Sequence, residues 1–398
     1  MADTTVKYFH SGMSGAPVLS GTAGAMVAVL DACLVNGFGL ITADSVTISG
    51  NVATVTKSTG HSMEVDAVAL IAGATVSGGS INGEQKVTSV TATTFTFATT
   101  GLSNQTATGT ITAKLAPAGW AKTYSGTNKA AYKSADVTAT GCLLRVDDTG
   151  TTNARVVGYE TMSDVDTGTG PFPTSVQQSG GGYWPKSQTA NSTARNWILV
   201  SDSKMFYFAS EHYVSSGSGA YDITVFGDVI PTKSGDAYAC VLSLISSDVA
   251  ANIGDTGNYA SSHSSTVSSV YMPRSYTGIG SSKQMLKMFP YIASSNNSNW
   301  SGHMGGSSSG VPYPNTADGG LYVSPHYLLE GTTLVLRGTS PGFYCCPQYV
   351  PPGTFAARDT VTGVTGLTGK TLKCITTYGG GSTPYSGPVF LDVTGPWR

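Results

Sequence analysis

Charged side chains are scarce in this sequence of 398 residues. Lys and Arg number 21, Asp and Glu number 23, and together they make up 11% of the chain, whereas an average soluble domain carries about 25%. The formal net charge is only −2, so copies of the chain repel one another weakly. A weakly charged surface favours association over dispersal, and the composition therefore predicts a part of an assembly.

Three further scarcities disfavour whole classes of protein. Basic residues are too isolated, at a pI near 6.3, to form the basic stripe of a nucleic-acid-binding protein. The longest apolar run, Ala23 to Val35, is interrupted by Asp31 and is shorter than the ~20 residues that cross a bilayer, so we expect no membrane insertion. Met1 to His10 lacks an apolar stretch followed by a cleavage site, and we expect the chain to fold in a cytoplasm.

Motifs of catalytic and metal sites are missing as well. The six cysteines show no CxxC spacing, the six histidines form neither HxH nor HExxH, and no GxSxG or Walker sequence occurs. We therefore predict that the chain is not an enzyme and has no catalytic residue, cofactor or metal. The cysteines should be buried free thiols, with metal binding as the weaker alternative. They are Cys33, Cys142, Cys240, Cys345, Cys346 and Cys374.

Three patterns still invite a functional interpretation. Asp164 and Asp166 alternate as in a calcium loop, but the third ligand and the Glu at position 12 are missing. Asp228 and Asp236 would suit the carboxylate pair of a glycosidase, although aspartates beside glycines are explained more simply as turn residues. Aromatic side chains would suit a sugar-stacking surface, but in a large β protein we favour core or interface positions. They are Trp120, Trp184, Trp197, Trp300, Trp397, Tyr183 and Tyr213.

The abundant residues predict a mainly β fold. The chain has 50 Gly, 20 Tyr and 12 Phe, and with many Thr and Val residues these favour strands joined by tight turns. We expect a β-rich body, a β-sandwich module and one short N-terminal helix. The predicted divisions are an N-terminal segment (1–40), an immunoglobulin-like β-sandwich module (41–116) and a β-rich main body (117–398).

Residues 21–36 are the one stretch with helical spacing of apolar residues. Met26, Leu30 and Leu34 recur on one face, while Gly24 should weaken the helix by about 1 kcal/mol relative to Ala. An isolated helix of this length is marginal in water, so its apolar face must pack on the body or on a neighbouring subunit. The candidate caps are Ser20 and Thr22, and the candidate stop is Asn36-Gly37.

Residues 41–116 have the pattern of short strands separated by glycine turns. About six strands are expected, and a turn at 49–51 predicts a hairpin between Ser45 to Ile48 and Val52 to Thr56. The ionisable residues of this module are too dispersed for acid–base chemistry, so we expect a spacer or interaction module. They include Glu64, Asp66, Glu84 and Lys86.

The rest of the chain alternates aromatic-rich strand candidates with long Ser/Gly/Asn stretches. The longest stretch, Ser294 to Asp318, cannot bury enough apolar surface alone to offset its ordering entropy. Neighbouring subunits would order it, or it would form a surface loop. The strand candidates are Trp197 to Phe208, Ile223 to Val229, Ala237 to Ile245 and Leu334 to Leu336.

Six blocks of sequence resemble a family of tailed-bacteriophage and prophage virion structural proteins. They include 'KYFHSGMSGAPVLSGTAGAMVAVLDACLVNGF' from Lys7, 'GWAKTYSGTNKAAYKS' from Gly119 and 'RNWILVSDSKMFYF' from Arg195. The others are Phe226 to Tyr238, 'LVLRGTSPGFY' from Leu334 and the terminal 'LDVTGPWR'. In that family the segment between the first two blocks resembles an immunoglobulin-like insertion, which agrees with the strand pattern of 41–116. The resemblance implies a particle component and brings no catalytic residue with it.

The expected function is that of a non-enzymatic, homo-oligomeric virion component near the distal tail or baseplate, assembled in the host cytoplasm. Its partners would be copies of itself and other tail or baseplate proteins, with a host surface glycan as a further candidate. A receptor- or glycan-binding protein, a capsid decoration protein and a cell-wall or capsule hydrolase are the alternatives. Replacing Leu30 or Leu34 with Asp or Lys should block incorporation of the chain into the particle. The candidate interface residues are Met26, Leu30, Leu34, Trp120 and Trp397.

Overall fold

The computed structural model describes residues 2–213, 221–245, 259, 270–288, 311–331, 333–351, 353–377 and 388–398. Over these residues the protein is mainly β, with large curled sheets and a single short α-helix, which confirms the fold class predicted from the composition. Of the predicted loop from Ser294 to Asp318, residues 294–310 lie outside the described residues.

The N-terminal segment contributes one strand and the helix. Strand β1 spans Lys7–His10, and helix α1 spans Ala25–Leu30 and continues as a π-helical segment over Asp31–Asn36. The predicted stop is confirmed, because Gly37 directly follows this segment with φ of 70°. The helix buries its apolar face in the core of its own chain.

Helix α1 begins differently from the prediction. Gly24 is its N-cap residue with φ of 83°, so glycine suits this position instead of weakening the helix. Ser20 and Thr22 bond each other through their hydroxyls. The N–H groups of Met26 and its successor donate to Oδ2 of Asp148, which caps the helix from far along the chain.

Residues 38–115 form an eight-stranded sheet. Its strands are β2 (Phe38–Thr42), β3 (Ser45–Ser49), β4 (Val52–Thr56), β5 (Val68–Ala72), β6 (Gly83–Val90), β7 (Thr94–Ala98), β8 (Gln105–Thr106) and β9 (Thr112–Leu115). The order is β2-β9-β5-β6-β7-β4-β3-β8. Strand β6 pairs through its first half with β5 and through its second half with β7. One strand is therefore shared by both layers of a curled sheet.

The local predictions for this sheet are mostly correct. The hairpin of β3 and β4 is confirmed, with Ser49 opposite Val52. Alternate side chains of β3 point inward, as the period of two requires. Eight strands are present where about six were expected, because β8 has only two residues and β2 begins before the predicted boundary.

Residues 120–185 form a six-stranded sheet that packs on the remaining strands. Its strands are β10 (Trp120–Gly126), β11 (Lys129–Ser134), β12 (Leu143–Asp147), β13 (Asn153–Met162), β14 (Gly168–Phe172) and β15 (Gly182–Pro185). Strand β13 pairs with β15 through its first half and with β14 through its second half. Trp184 of this sheet lies edge-on to Phe206, with ring centroids 5.9 Å apart.

The last part of the chain builds a thirteen-stranded sheet in which β1 is the first strand. The strands of this part of the chain are β16 (Trp197–Ser201), β17 (Met205–Ser210), β18 (Asp222–Asp228), β19 (Ile230–Pro231), β20 (Cys240–Ser243), β21 (Val270–Met272), β22 (Lys283–Met288), β23 (Val311–Pro312), β24 (Ser324–Glu330), β25 (Leu336–Cys345), β26 (Gln348–Tyr349), β27 (Thr360–Val361), β28 (Leu372–Thr376) and β29 (Pro388–Asp392). Strands β23 and β26 pair separately, in parallel. The main order is β1-β16-β17-β18-β20-β21-β22-β24-β25-β29-β28-β27, and β19 joins β25.

Two strand predictions in this region need correction. The stretch Trp197 to Phe208 is two antiparallel strands, because Oδ1 of Asp202 accepts the N–H groups of residues 204 and 205 and forms a turn. Leu336 only begins β25, which runs on to Cys345. All six cysteines are buried free thiols, as predicted.

Candidate functional site

The five predicted interface residues lie in the interior of the chain. Met26, Leu30 and Leu34 are 0% exposed, Trp120 is 4% exposed and Trp397 is 7% exposed. Side chains buried in this way offer no surface to a second subunit, so this choice of residues needs correction. The sequence pattern identified an apolar helix face correctly, but that face packs on its own chain. An interface between subunits must use other residues.

The described tryptophans do not form a sugar-stacking surface. Trp184 and Trp197 are 0% exposed, and their indole N–H groups donate to the carbonyls of Ser243 and Pro17 at 2.7 and 3.0 Å. A buried indole usually has a hydrogen-bond partner for its N–H, so these contacts are typical of tryptophans in a protein core. Trp300 lies outside the described residues.

A buried ion pair holds the start of helix α1. Nζ of Lys186 contacts Oδ1 of Asp148 and donates to the carbonyls of Thr22 and Gly150 at 2.8 and 2.7 Å. Both side chains are 0% exposed. Burial raises the pKa of Asp148 and lowers the pKa of Lys186, because each charged form loses its water. The pair thus joins the helix to two distant segments.

The two aspartates that would suit a glycosidase are each engaged elsewhere. Oδ1 and Oδ2 of Asp228 accept the hydroxyl and N–H of Thr140 at 2.6 and 2.7 Å. Oδ2 of Asp236 accepts from Arg337 at 2.8 Å, and Oδ1 accepts the N–H of Tyr238. Both carboxylates are therefore bound by other parts of the chain. For Asp236, the hydrogen bond from Tyr238 also forms the turn predicted from the sequence.

The calcium-like pattern is neutralised by basic side chains. The carboxylate of Asp166 accepts from Nζ of Lys129 at 2.9 Å and contacts Nη2 of Arg145 at 2.5 Å. These two cations occupy the oxygens that a metal ion would need. Among the described residues, no group of three or more His, Cys, Asp or Glu side chains is arranged to hold a metal.

A histidine and a serine meet on neighbouring strands of the large sheet. Nδ1 of His326 lies 2.6 Å from Oγ of Ser340, which also lies 2.5 Å from the hydroxyl of Tyr259. A base beside a hydroxyl is the arrangement that activates a nucleophile. However, His326 is 0% exposed and Ser340 is 4% exposed, and neither lines the open cavity described below, so the pair offers no access to a substrate in solvent. The sequence gave no signal of this pairing, since it depends on the register of β24 and β25.

The eight-stranded sheet meets the rest of the protein through charged groups. Lys7 pairs with Glu84 at 2.7 Å, and Nζ of Lys86 donates to the carbonyl of Val393 at 2.6 Å. Nε2 of His10 lies 2.7 Å from Glu64. The module's ionisable residues were expected to be dispersed, but the structure brings three of them to this junction.

The neighbours of His10 determine which of its ring nitrogens donates a hydrogen bond. Its Nδ1 accepts the N–H of Gly12 at 3.0 Å and lies 3.2 Å from Arg358, so the ring proton is on Nε2 and is donated to Glu64. Burial opposes ionisation of Glu64, but this hydrogen bond and the charges of Lys373 and Arg358 outweigh it and leave the pKa below its usual value. Burial lowers the pKa of Lys86 to about 8.

An open cavity of about 570 Å³ lies beside the turn between β24 and β25. Its lining includes Gln177, Ser282, Lys283, Leu286, Glu330 and Thr333. Oε2 of Glu330 accepts the N–H of Tyr276 at 3.0 Å and lies 3.4 Å from Nη1 of Arg337. Sequence reasoning missed this site, because its walls come from three separate parts of the chain.

No family model and no curated protein matches this chain. None of the helices in the described part of the chain is both long and apolar enough to span a membrane.

Proposed function

We propose that the chain is a non-enzymatic structural component of a tailed-bacteriophage virion, near the distal tail or baseplate. It acts by assembling with copies of itself and with other virion proteins. The virion setting rests on the six sequence blocks, which resemble a family of such proteins. The structural role rests on how the chain uses its charges.

More than half of the charged side chains in the described ranges form ion pairs within the chain itself. With only 11% charged residues to begin with, few unpaired charges remain on the exterior. Covering a surface with few unpaired charges avoids most of the desolvation cost that an unpaired charge imposes. This is the observation that carries the proposal, because it lowers the cost of covering the molecule with other subunits.

The candidate reactive groups support the same role. Asp228 and Asp236 are engaged by Thr140 and Arg337, and the pair of His326 and Ser340 is buried. A hydrolase needs a pair of groups that substrate can reach. The geometry therefore favours a structural component over a cell-wall or capsule hydrolase.

Two measurements test the proposal. Particles purified on a density gradient from a lysate of the host that encodes the chain should contain it at a fixed ratio to the other virion proteins. The purified chain should also form oligomers in sedimentation velocity as its concentration rises. A chain that is absent from particles and stays monomeric, or that cleaves a polysaccharide with turnover, would overturn the proposal.

A further inference from the structure

The cavity at the turn between β24 and β25 has walls that are already held in position. Nε2 of Gln177 donates to the carbonyl of Ser282 at 3.0 Å, and its Oε1 accepts the N–H of Thr174 at 2.8 Å. Glu330 is 6% exposed and is fixed by Tyr276 and Arg337. A ligand therefore meets an amide and a carboxylate that need little reorganisation on binding.

One polar group beside the cavity has no hydrogen-bond partner among the described residues. Ser282 is 5% exposed, and its Oγ makes no hydrogen bond to any described residue. A buried hydroxyl without a partner costs roughly 1–3 kcal/mol, so such groups in a native protein call for an explanation. A ligand or bound water that donates to or accepts from this hydroxyl would remove the cost.

The chemistry of the lining excludes several ligand classes. It holds one cation, Lys283, and one anion, Glu330, so it offers no excess charge to a phosphate or to another strongly charged group. Among the described residues of the lining, Leu286 is the one large apolar residue, which is too little for a hydrophobic ligand. The volume of about 570 Å³ suits a small molecule. A neutral ligand with many hydroxyl groups fits these limits.

Exposed apolar side chains occur close to the lining residues along the chain. Ile279 is 74% exposed, Leu334 62%, Tyr276 43% and Leu336 38%. Tyr276 and Leu334 are tied to the cavity wall, since their N–H groups donate to the side chain and the carbonyl of Glu330. A pyranose has polar edges and an apolar face, and an aromatic ring is a good surface for that face.

We propose that this cavity binds a neutral sugar unit of a surface polysaccharide. Gln177, Ser282, Glu330 and Thr333 bond its hydroxyl groups, and Tyr276 packs against the apolar face of the ring. The inference goes beyond assembly, and it requires that this end of the body stay uncovered in the particle.

A glycan array probed with the purified full-length chain tests this inference. We expect signals from a set of neutral glycans that share a terminal or internal sugar, and weaker signals from their sulfated and sialylated counterparts. Binding confined to anionic glycans, or binding to none, would overturn the proposal. This result is independent of whether the chain enters particles, so the two proposals fail separately.

Variants locate the binding on the protein. Tyr276→Ala and Gln177→Ala should each raise the dissociation constant for the best neutral glycan about tenfold, which is equivalent to about 1.4 kcal/mol of binding free energy. Both side chains are exposed, so the melting temperature should stay close to that of the wild type. Val52→Ser on β4, also an exposed residue, is the matched control and should bind normally. Unchanged affinity in both cavity variants would place any sugar binding elsewhere and refute the site.

Discussion

Single residues with long-range partners determine several features of this protein. Asp148 is the clearest case, because one carboxylate receives two N–H groups of the helix and also pairs with Lys186. Nothing near residue 148 in the sequence indicates that it caps a helix more than a hundred residues earlier. The local alternatives, Ser20 and Thr22, had the right chemistry but bond each other.

Lys186→Met should destabilise the protein by roughly 3–5 kcal/mol, because it leaves the buried carboxylate of Asp148 without its cation. Urea unfolding followed by circular dichroism measures the loss. Lys122→Met is the matched control. Its pair with Asp31 is 31% and 20% exposed, and it should cost less than about 1 kcal/mol. Equal losses in the two variants would contradict a special role for the buried pair.

Lys86 should make the free energy of unfolding depend measurably on pH in the alkaline range. Burial lowers its folded-state pKa to about 8, from an ordinary value of 10.5, so between these values the unfolded chain binds more protons than the folded chain. Burial of the charged Lys86 therefore lowers the free energy of unfolding below pH 8, and this loss is removed as the pH rises. Relative to Lys86→Met, the wild type should gain roughly 1–2 kcal/mol between about pH 8 and pH 10. A constant difference across that range would contradict the burial effect.

At the scale of elements, periodicity predicted the strands well but not their arrangement. The alternation in β3 and β4 identified a hairpin, whereas the sharing of β6 between two layers depends on where that strand bends. Glu64, Glu84 and Lys86 each contact a residue outside this sheet. Their spacing in the sequence gives no sign of these contacts. The division of the chain into 1–40, 41–116 and 117–398 stays a prediction.

The helix face illustrates a different limit. An apolar stripe predicts burial, but the sequence does not say against which surface, and Leu30 and Leu34 are buried in their own chain. The substitution Leu30→Asp should therefore unfold the protein before it affects any assembly. Such a variant does not distinguish an interface from a core.

Gly24→Ala should destabilise the protein, although alanine is the better helix former. Gly24 has φ of 83°, and an added Cβ would lie 2.6 Å from Oδ1 of Asn128. We expect a loss of about 1–2 kcal/mol in urea unfolding. Gly126→Ala is the control, since its nearest neighbour would be 3.4 Å away and its φ is not positive. A Gly24→Ala variant as stable as the control would show that the cap tolerates a side chain.

At the scale of the whole molecule, composition predicted the fold class, and the internal pairing of charges became visible only in the structure. Association through a weakly charged surface should persist at high salt. In about 1 M NaCl the Debye length is about 3 Å and charge pairs between subunits are screened. We expect the oligomers seen by sedimentation velocity to keep their size there. Dissociation into monomers would mean that charge pairs hold the subunits together.

The most direct test of the structural role is to locate the chain on the particle. The turn at Gly50 and Asn51 is exposed, with no atom within 4 Å of an added Cβ at Gly50, so a short epitope inserted there should leave the fold intact. Electron microscopy of purified particles labelled at this epitope should show it at regular, symmetry-related positions on the distal tail or baseplate. Particles that form normally and carry no label, while the tagged chain stays soluble in the lysate, would contradict a structural role.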